Sequence, residues 1–137
     1  MSVSTSTNPF ERIGAQALGA GDVVHVPFVR AGRWVFGTGL RALAADGRMD
    51  PAVTRPGRPL GAPPQAEREA DAVFGRIRQG LEAAGSAMGR IARLDQYYPD
   101  PRHVDPYHVA RKRAMAQQVA PSTSVIVPGL LNTDASL

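Results

Sequence analysis

The chain has 137 residues, with 16 Lys and Arg against 12 Asp and Glu, a formal net charge of +4 and no cysteine. Such a length forms one domain that buries a core without covalent staples, and the missing thiols exclude disulfides, thiolate metal centres and a cysteine nucleophile together. No basic start leads into an apolar run and no stretch approaches the roughly 20 apolar residues of a membrane span, so a soluble, cytoplasmic protein without membrane association is expected.

Nearly all the positive charge is arginine, Lys112 being the only lysine. The arginines are interleaved with acids, as in "EREADAVFGRIR", and no aromatic and basic stacking motif accompanies them. Nucleic acid is therefore not the expected partner.

In chain order, residues 1–21 read as a polar, glycine-containing arm. "DVVHVPFVR" (22–30) alternates apolar residues around His25 and Pro27, the pattern of an edge strand. "AGR" then turns tightly into "WVFGTGLRALA", which makes the two runs a hairpin. Residues 44–63 are rich in Gly, Pro, Arg and Asp without an apolar period and read as a long loop, of the kind that often covers a site.

"PQAEREADAVFGRIRQGLEAAG" carries the strongest periodicity: Ala66, Ala70, Val73, Phe74, Ile77, Leu81 and Ala84 recur at steps of three and four. An amphipathic helix from Pro64 to Ala84 follows, with Pro64 in its first turn and Gly85 as its stop. "GRIARLDQYYPD" reads as a strand with Ile91, Leu94 and Tyr97 as its core contributors. "VDPYHVARKRAMAQQVA" is a second helix with Asp105 as N-cap and Pro106 at its first position. "TSVIV" (123–127) is a last buried strand, stopped by Pro128 and Gly129.

The order strand, strand, helix, strand, helix, strand packs most economically as an α+β sandwich of two layers, a mixed sheet with both helices on one face. Three scattered histidines, of which His103 reads as solvated, show no HxH or HExxH spacing, so neither metal nor cofactor is expected.

"RAGRWVFGTGL", the stretch "EREADAVFGRIRQGLEAAGSAMGRIARLDQYYPDP" and "APSTSVIVPGLL" together resemble the RidA family, also called the YjgF or L-PSP endoribonuclease family, from about Val23 to the end. The resemblance implies a chorismate-mutase-like α+β fold and a homotrimer or multiple of three. It also implies clefts between subunits, where family members hydrolyse reactive enamines or imines to keto acids and ammonia. Matched by position, the arginine that grips the substrate carboxylate in the deaminases falls on Ser122, which cannot form the charged fork. An aromatic before the first strand falls on His25, a small hydroxyl on Thr38 beside Gly39, and a helix asparagine on His108. The family's catalytic glutamate would lie on a strand after Leu137.

Residues 1–137 are thus expected to be a single domain, incomplete at the C-terminal strand. A sheet ending at "TSVIV" leaves a row of unpaired backbone groups, so a further strand is expected near Ser124 to Val127, from a second polypeptide, as processing at Leu137 would supply, or from a neighbouring subunit. Two functions are carried forward. One is a hydrolase or deaminase of a small nitrogen-containing metabolite, with His25, Thr38 and His108 as catalytic candidates and Gly39, Ser122 and Ser124 binding substrate, converging on one cleft. The other is a non-catalytic ligand-binding or structural subunit of the same fold.

Overall fold

The two-residue turn Gly32–Arg33 sets the first half of the structure. Gly32 has φ +59°, a left-handed conformation that glycine adopts without a Cβ penalty. It joins β4 (Phe28–Ala31) to β5 (Trp34–Gly37), which pair antiparallel with Ala31 opposite Trp34. The expected hairpin is present in the computed structural model, which describes residues 9–17, 24–54, 60–116, 118 and 120–137.

Two readings are corrected here. Residues 10–17 are not an arm: β1 (Phe10–Ile13) pairs antiparallel with β4, and β2 (Gln16–Ala17) pairs with β3 (Val24–His25). The edge strand expected over 22–30 is also broken at Pro27, which leaves β3 short. Its second part, β4, lies at the centre of the three-stranded order β1-β4-β5, because β1 takes the side that was expected to be open. Residues 1–8 and 18–23 of these segments lie outside the described residues.

The expected loop 44–63 is tied down in part. Leu43 bridges to Met49, and Pro51–Thr54 forms a one-turn helix, α1. Ala42, Met49 and Val53 are buried with Val73 and Ala135; residues 55–59 lie outside the described set.

The long helix α2 runs Gln65–Ala83, with Pro64 at the N-cap and Gly85 at φ +66° just past its end. Its apolar stripe meets α3 (Val104–Met115) in the main core, where Ala70, Phe74 and Leu81 pack with Tyr98, Tyr107, Ala110 and Met115. The rings of Phe74 and Tyr98 each lie 5.6 Å from that of Tyr107. Further along α2, the Phe28 ring lies flat on Gly80, where a Cβ would come within 1.9 Å of the ring.

The second half is a parallel pair. β6 (Leu94–Tyr98) and β7 (Ser122–Ile126) run side by side from Leu94 opposite Ser122 to Tyr98 opposite Ile126, connected through α3. Of the expected core positions, Tyr97 is exposed, and the buried residues of β6 are Gln96 and Tyr98. The layers are those of an α+β sandwich with both helices on one face.

The helix expected from Asp105 starts earlier, at Val104, continuing a 3₁₀ turn over Pro101–His103. Asp100 caps that turn: its Oδ1 accepts from the Arg102 N–H at 2.8 Å, and its carboxylate also binds the Arg102 side chain. Those bonds hold the carboxyl down at about 2. A carboxylate with a depressed folded-state pKa stabilises above its unfolded value, near 4, and loses that contribution as pH falls toward 2. Carboxyl NMR titration of Asp100 is expected to give a midpoint near 2 in the wild type and a raised one when Arg102 is replaced by alanine, short of the free value because the backbone N–H at position 102 still donates to the carboxylate.

Candidate functional site

Two grooves lie where the halves of the molecule meet. The larger, about 1420 Å³, runs between β5 and β6 over a floor of α2 side chains that includes Phe74, Ile77 and Leu81. Arginines 30, 33, 41, 90 and 93 line it, with Asp95 the acid among its lining residues. The smaller, about 650 Å³, lies between β2, β3 and α2 and is lined by Gln16, His25, Gly39, Arg41, Arg76 and Gln79, among others. Phe28, Gly39, Leu40 and Arg41 line both.

The smaller groove has the size of a metabolite site. Its arginines are positioned by the chain itself. Arg76 donates to the carbonyls of Arg41, at 2.6 Å, and Leu43, while Arg41 donates to the Asn132 side chain. No carboxylate lines it, and His25 is its one imidazole among the described residues.

The candidate residues fall in three places. His25 lies half-buried on β3, opposite Gln16, in the smaller groove. Thr38 lines the larger groove, its N–H donating to the Pro27 carbonyl at 2.9 Å, and Gly39 joins the two. Ser122 and Ser124 lie on β7 and line neither groove. His108 is exposed on α3, its ring edge-on to Tyr107 with centroids 5.5 Å apart. Within one protomer the structure brings His25, Thr38 and Gly39 near one another, and leaves Ser122, Ser124 and His108 on the α3 and β7 side.

Around the two serines is a network that the sequence reading missed. Arg111, buried on α3, donates to Ser122 Oγ at 2.7 Å and to the Ala120 carbonyl at 2.5 Å. A guanidinium thus reaches position 122 from the helix behind it. Gln96 donates to Ser124 Oγ at 2.8 Å and accepts from the Tyr107 hydroxyl at 3.3 Å.

The fully buried Tyr98 hydroxyl makes no hydrogen bond among the described residues. Burial pushes this phenol well above its ordinary value, Tyr107 adds to the rise, and Ser124 and Arg111 oppose it. Tyr107 is raised by the same desolvation, which Arg111 counters. Both remain neutral donors at any physiological pH. Spacing gave no signal for Arg111, because a buried arginine and a solvated one look alike in a helix rich in arginine. His103, read as solvated, instead contacts the Ser136 carbonyl through Nδ1 at 3.0 Å.

Among the described residues no group of three or more His, Cys, Asp or Glu is placed to hold a metal ion, and no helix is long and apolar enough to cross a membrane.

No family model and no curated protein matches the sequence. Solved structures do match. A protein of unknown function from Pseudomonas aeruginosa is similar at 28% identity and TM-score 0.73, covering 93% of this chain and 86% of that one. RidA from the Antarctic bacterium Psychrobacter is similar at 16% identity and TM-score 0.68, covering 92% of each chain. TdcF of E. coli, solved with bound serine, is similar at 17% identity and TM-score 0.68, covering 92% of this chain and 91% of that one. The chain has the RidA fold.

Proposed function

We propose that this RidA-fold chain is a subunit of a hydrolase or deaminase acting on a small, anionic, nitrogen-containing metabolite, with the smaller groove as its substrate site. The observation that carries the reading is that His25, Arg41 and Arg76 line one groove, with no acid among its described lining residues. Arginine attracts a carboxylate. Histidine is the side chain that takes and returns a proton near neutral pH, as attack of water on an imine carbon and departure of ammonia require. Ser122, Ser124 and His108 join this site only from a neighbouring subunit, so the reading includes assembly into a trimer or a multiple of three. The RidA structure and the serine-bound TdcF support the choice of a small metabolite by likeness of fold.

The uncovered sheet face supports the assembly. Phe10 and Trp34 flank Ala31 across β1, β4 and β5, Phe36 follows two residues on, and Phe10, Trp34, Phe36 and Tyr97 are each more than half exposed. So much aromatic surface on one face of a monomer is unusual and marks an interface.

The test combines two readouts. Ammonia release from imines formed from serine and threonine is expected to be slow, because Ser122 lacks the charged fork, and His25→Ala is expected to reduce it further by about 10²-fold or more, the range of a lost general acid or base. Sedimentation at micromolar concentration is expected to give a trimer or multiple of three. Rates unchanged by His25→Ala overturn the catalytic assignment, and a stable monomer overturns the assembly. Saturable ligand binding at His25 without turnover would favour the second reading, a binding subunit, for which the loss of arginine at position 122 argues. Simple restoration by Ser122→Arg is not expected to help, since it sets a second guanidinium against Arg111.

A further inference from the structure

We infer that the metabolite taken by the smaller groove is an amphipathic carboxylate, with its acid group beside Arg76 and an apolar arm of several carbons running along α2 toward Ala83. The inference rests on the reading above of that groove as the substrate site, and it adds the length and polarity of what fits there.

The helix sets the length. Arg76, Gly80 and Ala83 all line the groove, and their spacing of four and three residues places them on one face of α2. From Arg76 to Ala83 the helix rises by about 10 Å, so the groove follows nearly two turns. Its volume of about 650 Å³ lies within the range of ligand pockets, roughly 300–1,000 Å³. An imine formed from serine or threonine fills only a small part of it.

The two ends differ in chemistry. Arg76 donates to the carbonyls of Arg41 and Leu43, which fixes the 41–43 backbone beside the cationic end. Arg76 makes no ion pair among the described residues, and no acid is among the described lining residues of the groove. A ligand carboxylate supplies the missing charge.

Toward the other end the surface is apolar. Ile13 and Phe28 form a buried cluster with Ala84, Leu40 packs against it, and Ile13, Phe28 and Leu40 all line the groove. Between the ends Gly80 contributes no side chain, and the Phe28 ring rests on it. The remaining polar side chains of the lining besides His25 are Gln16 and Gln79, both exposed. An apolar arm laid along Gly80 and Ala83 leaves water for hydrocarbon, whereas a hydroxylated or charged arm would give up its hydration there without a partner.

The test titrates the 137-residue protein with butanoate, hexanoate, octanoate and octanamide, following backbone amide shifts by NMR. Saturable binding is expected, with shifts concentrated at Gly14, Leu43, Gly80 and Ala83. Affinity is expected to rise roughly threefold for each added methylene, close to the worth of a buried CH₂. Octanamide, which carries no charge for Arg76, is expected to bind at least tenfold more weakly than octanoate. The Ala83→Glu variant, which sets a carboxylate at the apolar end, is expected to lose at least tenfold in octanoate affinity.

Four results would each overturn the inference: no saturable shift at millimolar octanoate; equal affinity across the chain-length series; octanamide binding as tightly as octanoate; or shifts confined to Trp34 and Phe36, which would mark adsorption to the exposed aromatic face. None depends on turnover, so a failed deaminase assay leaves the inference standing. A protein that turns over short imines in this groove and shows no gain with chain length overturns the inference and keeps the reading.

Discussion

Gly80→Ala is expected to destabilise the fold by about 2 kcal/mol, in the range of overpacked cores, and to lower the thermal midpoint by roughly 6–10 °C for a domain of this size. On helix propensity alone the sign would be reversed, since alanine in a helix interior is favoured over glycine by about 1 kcal/mol. The Phe28 ring decides it. Three ring atoms would lie 1.9, 2.4 and 2.5 Å from the new Cβ, and Phe28, only 4% exposed, is closed in on its other side as well. A Cβ at Gly37, for example, would already lie 3.2 Å from the ring. The internal control is Gly75→Ala on the same helix, where a Cβ meets nothing within 4 Å. That variant is expected to stabilise by about 0.5–1 kcal/mol. Differential scanning calorimetry of the two proteins separates packing from propensity; a Gly80→Ala protein as stable as Gly75→Ala would show that Phe28 does not rest on the helix.

Glu69→Leu is expected to cost about 2–3 kcal/mol, the penalty of stranding buried donors, and to release the chain's last residues. Glu69 is fully buried. Its two carboxylate oxygens accept from the Ser136 N–H at 2.8 Å and from Gln65 Nε2 at 2.6 Å, and Gln65 also donates to the Asp134 carbonyl at 2.6 Å. Leucine fills the volume and leaves the buried Ser136 N–H with no acceptor. Glu69→Gln keeps one carbonyl oxygen and is expected to lose less than half as much. Amide exchange at Ser136 in the three proteins, alongside urea denaturation, checks the assignment. Wild-type protection of Ser136 in Glu69→Leu would mean that packing of Ala135 and Leu137, not the carboxylate, holds the segment.

The helices and the hairpin were legible because their signals are local. The Ala66 to Ala84 periodicity and the Gly32 turn need no distant partner to be read. β1 was missed for the opposite reason. Four residues containing Phe10 and Ile13 become a strand only because β4 lies beside them, and nothing nearby in sequence announces that pairing. On β6 the error was one of period. Ile91, Leu94 and Tyr97 are spaced by three, whereas a strand buries every second residue, here Gln96 and Tyr98. A glutamine at an inward position misled the reading, since it is paid for by Ser124 and Tyr107, which are distant in sequence.

Asp105 and Pro106 carry a helix-start signal, yet the helix begins at Val104, on the turn that Asp100 caps. At the site, His25 and Thr38 were singled out through family resemblance, and the fold places them near each other. Arg111 and Glu69 were out of reach, because each is defined by what surrounds it and not by its neighbours in the chain.

The division of the sheet also governs how the molecule comes apart. With no backbone bonds between β5 and β6 among the described residues, cooperativity passes through side chains: those of α2, which supplies Phe74 and Leu81 to the main core, Val73 to the cluster beneath the 40–53 segment and the Gly80 seat of Phe28, and the contacts of Val35 with the main core and of Arg41 with Asn132. A junction made of side chains alone opens at less cost than a backbone ladder, so sub-global opening along it lies below the free energy of complete unfolding.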